Sequence, residues 1–193
     1  MRLAIFGGTF DPIHNAHLAI ARAAVSRCRL DQVLFIPAAR PPHKGGVTEA
    51  GYEDRVRMVE LACAGEPRFV VSRLEQGAGR SYSIDTIEKV RASPAFAGEL
   101  FFLIGADAFA EIESWHRWRA VAGQVVFLVV SRPGYSCPVP PEATVEWLDA
   151  PQLNVSSSAI RRLLESGQRP AEVPPPVLDY IAQHRLYQPH GVA

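Results

Sequence analysis

Short apolar runs alternate with amphipathic stretches along the first two thirds of the chain. Residues 2–6, 32–36, 68–72, 99–104 and 124–130 are nearly continuous apolar segments of strand length. Residues 15–27, 51–64, 83–92 and 106–111 carry spaced apolar positions and good helix formers. Strands that are apolar throughout, rather than alternating, are buried on both faces. With helices between them they predict a parallel sheet covered on both sides, a Rossmann-like doubly wound α/β fold. The last part has a different texture. A proline-rich connection at 133–141 precedes one more short strand at 144–148. Residues 156–166 then read as a serine-capped helix with Gly167 just past its end. Three prolines at 174–176 precede another helix at 177–185. The expectation is one domain over 1–193 with a small C-terminal helical portion at about 154–187.

In such a sheet, ligands bind at the carboxyl ends of the strands, where the strand order reverses. Two segments fall there. The first strand runs into Gly7 and Gly8, and the fourth into Gly105-Ala106-Asp107. The first is the more informative. It reads Gly7-Gly8-Thr9-Phe10-Asp11-Pro12-Ile13-His14-Asn15-Ala16-His17 and opens a helix. Strand, glycine turn and helix start together make an anion site, because glycines let backbone approach and the first helical amides have no internal partner. His14 and His17, one turn apart, add imidazole donors that are expected to become cationic once phosphate is bound. A bare tight turn and a helix cap are the plainer readings. No third histidine stands near and a zinc site needs three or four ligands, so no protein metal site is expected. Neither the dinucleotide fingerprint nor the Walker A loop is present.

Charge narrows the partners. The 193 residues hold 20 basic and 20 acidic side chains and are 48% hydrophobic. A neutral chain has no global field for nucleic acid, so any positive potential is local. Cys28, Cys63 and Cys137 are odd in number and widely spaced, which suits reduced thiols in a cytoplasmic protein. No apolar run reaches the length of a membrane span, and the chain enters a strand at once, so neither membrane attachment nor a signal peptide is expected. A homo-oligomer is left open.

Further segments carry chemistry. Asn154-Val155-Ser156-Ser157-Ser158-Ala159-Ile160-Arg161 places serines at a helix start and a guanidinium one turn in, which suits either a plain cap or an anion. Asp107 reads equally as a helix cap or an acceptor for ribose hydroxyls. Trp115-His116-Arg117-Trp118 suits either a core anchor or a stacking platform. The long connection 37–48, expected to be mobile, contains Pro41-Pro42-His43-Lys44. Ser81 to Thr86 reads as a helix start with Asp85 in the first turn.

Taken together, the glycine–histidine segment resembles the signature of the nucleotidyltransferase superfamily whose hallmark is a T/H-x-G-H motif. It is most similar to the bacterial nicotinate-nucleotide adenylyltransferases. Ala16 stands where that family usually has Gly; Ala is a better helix former, harmless if the position is helical and crowding if the backbone packs against phosphate. The segments around Ser157, Gly105, Trp115, Pro42 and Thr86 resemble the family's I-S-S-T-x-I-R, I-G-x-D, tryptophan, P-P-H-K and S-Y-T-x-D-T elements in order over residues 2–161. The resemblance implies adenylyl transfer from ATP, accompanied by Mg²⁺, to nicotinic acid mononucleotide, giving deamido-NAD and pyrophosphate. It implies His14, His17 and Arg161 as catalytic. Gly7, Gly8, Thr9, Phe10, Gly105, Asp107, Ser157 and Ser158 would bind ATP, and His43, Lys44, Thr86, Trp115 and His116 the mononucleotide. His116 stands where the family often has tyrosine. Three alternatives stay open: an amide mononucleotide, phosphopantetheine as acceptor, or a non-catalytic nucleotide sensor.

Overall fold

The computed structural model describes residues 1–41, 48–77, 79–131, 137–149 and 155–188. Among these residues, six parallel strands form one sheet in the order β3-β2-β1-β4-β5-β6. They are β1 (Arg2–Gly8), β2 (Gln32–Pro37), β3 (Phe69–Val71), β4 (Glu99–Gly105), β5 (Val126–Ser131) and β6 (Thr144–Asp149). The order reverses between β1 and β4, so the expected switch point lies where Gly7, Gly8 and Gly105 end their strands. The helices are α1 (Asn15–Arg27), α2 (Tyr52–Cys63), α3 (Ser83–Ala92), α4 (Ala106–Ala110), α5 (Trp118–Ala122), α6 (Ser157–Glu165) and α7 (Pro175–Gln183).

Two apolar clusters cover the two faces of the sheet. One gathers Phe6, Phe10 and Phe35 with α1, α2, α6 and α7; the other gathers Ile5, Phe102 and Phe127 with α3, α4 and α5. Alternation along β1 explains the split: Ala4 and Phe6 face the first cluster, Leu3 and Ile5 the second. The predicted spans of α1 and α3 are reproduced to the residue. The other predicted elements differ by one or two residues at an end, as hydrogen-bonded ends and apolar runs need not coincide. A 3-10 turn at Ile112–Ser114 and the helix α5 are additions. Both are too short for a helical period to show, and Arg117 enters α5 at φ 53°. No helix among the described residues is long and apolar enough to cross a membrane.

Candidate functional site

The glycine turn works because of what lies behind it. Phe10 sits at φ 49°, a left-handed conformation that costs a bulky residue roughly 1–2 kcal/mol. Its ring packs edge-on to Phe6 at 5.6 Å and His17 at 5.1 Å, and is buried. A Cβ on Gly8 would come within 2.8 Å of that ring, so only glycine fits. Phe10 is thus a wedge under the turn, and it does not line the cavity above it. A Cβ on Gly7 or on Gly105 would meet nothing. At these two strand ends the backbone faces open space, as an approaching ligand requires.

That space is a cavity of about 630 Å³. Gly7, Gly8 and Thr9 line one end, Gly105 and Ala108 lie along β4 and α4, and Tyr82, Trp115 and His116 form the far wall. Trp115 packs edge-on to Phe102 (5.8 Å, 78°), and His116 lies over Tyr82 at 4.4 Å. The two neighbouring tryptophans therefore divide the two roles between them: Trp118 is buried in the core, Trp115 faces the cavity. Ser83, the first residue of α3, also lines the cavity, and among the described residues no side chain caps that helix start.

His14 and His17 stack with ring centres 3.7 Å apart. The His14 backbone N–H donates to Nδ1 of His17 at 3.2 Å, so the proton of the neutral His17 ring is on Nε2. Burial lowers the pKa of His14 to about 4. Burial, followed by the neighbouring His14, holds His17 well below the usual histidine range. Nδ1 of His14 is buried without a hydrogen-bond partner among the described residues. Both rings are therefore neutral donors near pH 7, in a site that cationic imidazoles would otherwise crowd. Ala16, the second residue of α1, is helical and buried, in line with the permissive reading of this position.

The C-terminal serine–arginine segment packs onto this turn. Ser157 Oγ donates to the Pro12 carbonyl at 3.1 Å and Arg161 Nη1 to the Asp11 carbonyl at 2.8 Å. From the other side Arg55, fully buried, donates to the Thr9 carbonyl at 2.8 Å. Three carbonyls of the turn are thus drawn outward by donors from α2 and α6. The Asp11 side chain anchors the whole group. It accepts from the amides of Glu49 (2.9 Å) and Ala50 (3.1 Å) and from the Tyr187 hydroxyl (2.7 Å), with Arg161 3.9 Å away. Burial, then the Asp11 carboxylate, pushes the Tyr187 hydroxyl far above its ordinary pKa.

Sequence reasoning missed Asp11, Arg55, Tyr187 and Glu75 as functional residues. Arg55 had one detectable signal, a cation within the apolar face that Val56, Met58 and Val59 form. Glu75 is buried, lines the cavity, and accepts from the Thr86 hydroxyl (2.8 Å) and the Ala39 amide (3.3 Å). Thr86 accordingly lies behind Glu75 and is not among the lining residues. Asp107 and Ser158 are exposed at the starts of α4 and α6, outside the cavity lining. Ser156 caps α6, accepting from the Ala159 amide. His43 and Lys44, within the half of the connection expected to be mobile that spans 42–47, lie outside the described residues. The cysteines are free thiols, with Cys63 pushed up to about 12 by burial. Among the described residues no group of three or more His, Cys, Asp or Glu could hold a metal.

Residues 5–163 match the cytidylyltransferase-like family model, which places the reversed parallel sheet and its glycine turn in that class of proteins. The chain is 63% identical over 187 residues to a probable nicotinate-nucleotide adenylyltransferase of Solibacter usitatus, covering 97% of this chain and all of the relative. A relative of the same name from Thermus thermophilus is 43% identical, again over 97% of this chain and 100% of its own length. The chain belongs to this nicotinate-nucleotide adenylyltransferase family. Its fold is also that of the Plasmodium falciparum nicotinic acid mononucleotide adenylyltransferase complexed with NaAD, with TM-score 0.78 at 18% identity over 96% of this chain and 97% of that one.

Proposed function

We propose that the chain transfers the adenylyl group of ATP to nicotinic acid mononucleotide, giving deamido-NAD and pyrophosphate. The observation that carries this reading is one cavity running from the glycine turn to an aromatic wall, in a chain 63% identical to a relative of that name. The acceptor phosphate is already an anion, so the reaction asks for alignment and charge neutralisation rather than a strong base. Gly7, Gly8 and Thr9 offer backbone to the triphosphate, and His17 offers its Nε2–H. His14 offers a buried ring nitrogen that has no other partner. Arg161 and the start of α6, with Ser157 and Ser158, are set against the same turn and suit the departing pyrophosphate.

At the other end, Trp115 offers a face to the pyridine ring. The uncapped start of α3 offers amides to its carboxylate. Gly105 admits the adenosine and Asp107 suits its ribose hydroxyls. His116 lines the chamber, Thr86 supports it through Glu75, and His43 and Lys44 belong to the same substrate end on the resemblance alone. Mg²⁺ would be held by phosphate oxygens and water rather than by a carboxylate cage, and when bound it offsets phosphate charge. The reading carries a cytoplasmic site of action, where ATP is at hand.

Pyrophosphate release with ATP and each candidate acceptor tests the proposal. The acid mononucleotide should turn over faster than the amide, and phosphopantetheine should not react. Binding of ATP without turnover of any acceptor would favour a sensor and overturn the enzyme reading.

A further inference from the structure

Among the described residues, the cavity lining contains no Lys or Arg and one carboxylate, Glu75. A lone carboxylate in a chamber walled by Trp115, Tyr82 and Phe102 has the composition of a site for a delocalised or quaternary cation, which aromatic faces and a buried anion both attract. Its placement is deliberate in physical terms. Glu75 is 8% exposed, and its two oxygens take a hydroxyl donor from α3 and an amide from the segment after β2. Neither donor carries a formal charge. Arg55 feels the Glu75 charge without bonding to it, so among the described residues no salt bridge cancels the field of the carboxylate.

The pyridine ring of the proposed substrate is such a cation. Its nitrogen bonds to ribose and is therefore quaternary, with a fixed positive charge that no pH removes. The ring's 3-carboxylate would be repelled by Glu75, and the uncapped amides of α3 give it a separate place to go.

We propose that Glu75 is a specificity-determining residue that reads the positive charge of the N-ribosylated ring. The cavity then accepts the pyridinium mononucleotide and rejects its uncharged 1,4-dihydropyridine form, which has nearly the same shape. This rests on the mononucleotide adenylylation proposed above. Adenylyl transfer with either ring form would leave that reading standing while deciding this one.

The test is steady-state pyrophosphate release at saturating ATP, with oxidised and reduced nicotinic acid mononucleotide as acceptors. The unmutated protein should prefer the oxidised form by roughly 10-fold or more in kcat/KM, the order of one cation–aromatic and carboxylate contact. In Glu75→Gln the preference should shrink to within about 3-fold, through a raised KM for the oxidised form at nearly unchanged kcat. Thr86→Val removes a hydrogen-bond donor and leaves the charge, so it should keep the preference. Equal use of both forms by the unmutated protein overturns the proposal whether or not the variants fold. So does a Glu75→Gln variant that keeps its preference or loses both substrates equally, or a Thr86→Val variant that mimics it.

Discussion

At the turn end of the cavity, the carbonyls of Thr9, Asp11 and Pro12 are held by Arg55, Arg161 and Ser157, which lie 46, 150 and 145 residues away in sequence. At the ring end, Glu75 meets Thr86 eleven residues on, and Trp115 and His116 touch the cavity through ring contacts with Phe102 and Tyr82. The first end is a buried polar network joining four parts of the chain; the second is a set of aromatic surfaces on three short stretches, around Tyr82, Phe102 and Trp115. The difference follows from what each must hold. Phosphates in a displacement need fixed directions, and directional hydrogen bonds supply them. A flat ring needs a flat partner and tolerates sliding. Damage to the first end should therefore spread into the fold, and damage to the second should stay with one substrate.

Asp11→Ala should break the turn end most severely. It removes the acceptor of two amides and a hydroxyl and leaves Arg55 buried with one fewer counter-charge. A loss of about 3–5 kcal/mol of stability is expected, read from the shift of the urea midpoint at constant slope. A loss below about 1 kcal/mol would mean that the carboxylate is not what holds the turn together. Next comes His17→Ala. If its Nε2–H meets charge that develops only in the transition state, kcat should fall by roughly 100-fold or more with stability near the parent value. Turnover within a few-fold of the parent would remove His17 from the mechanism.

Trp115→Ala probes the ring end. The mononucleotide should lose about 1–2 kcal/mol of affinity, while ATP affinity measured by calorimetry should hardly change. A loss of ATP affinity instead would erase the proposed division between the ends. The smallest effect expected is an absence of titration. With their pKa values pushed down, His14 and His17 should show ring proton shifts that hold still between pH 8 and about 5.5, where an ordinary histidine titrates. The sign for stability follows. The unfolded imidazole takes up a proton near pH 6.5 and the folded one only near 4, so His14 contributes fully above about 6.5, and its contribution is lost as pH falls toward 4. Titration of either ring near 6.5 in the free protein would contradict the burial on which the neutral-donor argument rests.

What could be read from the chain follows the same division. The β1 turn, α1 and α3 were legible because period, glycine and capping signals agree locally. Gly7, Gly8, Thr9 and Gly105 share one cavity because strand ends of a doubly wound sheet meet there, whereas Trp115 and His116 were legible as substrate residues through the family resemblance alone. Phe10, which the resemblance assigns to ATP, is turned inward by a left-handed backbone that has no signature in composition. Asp11, Arg55 and Tyr187 escaped notice because each is unremarkable alone; their meaning lies in contacts that only the folded chain makes. Glu75 was hidden in the same way, and its position explains why Thr86 sits one layer back from the cavity.

The bond between Tyr187 and Asp11 spans 176 residues. On a ribosome adding roughly 5–20 residues per second, Tyr187 follows the glycine turn by on the order of ten seconds or more. During that interval the nascent chain carries the Asp11 carboxylate without the hydroxyl that joins its donors, so this anchor of the anion site is completed only after all six strands of the sheet have been synthesised.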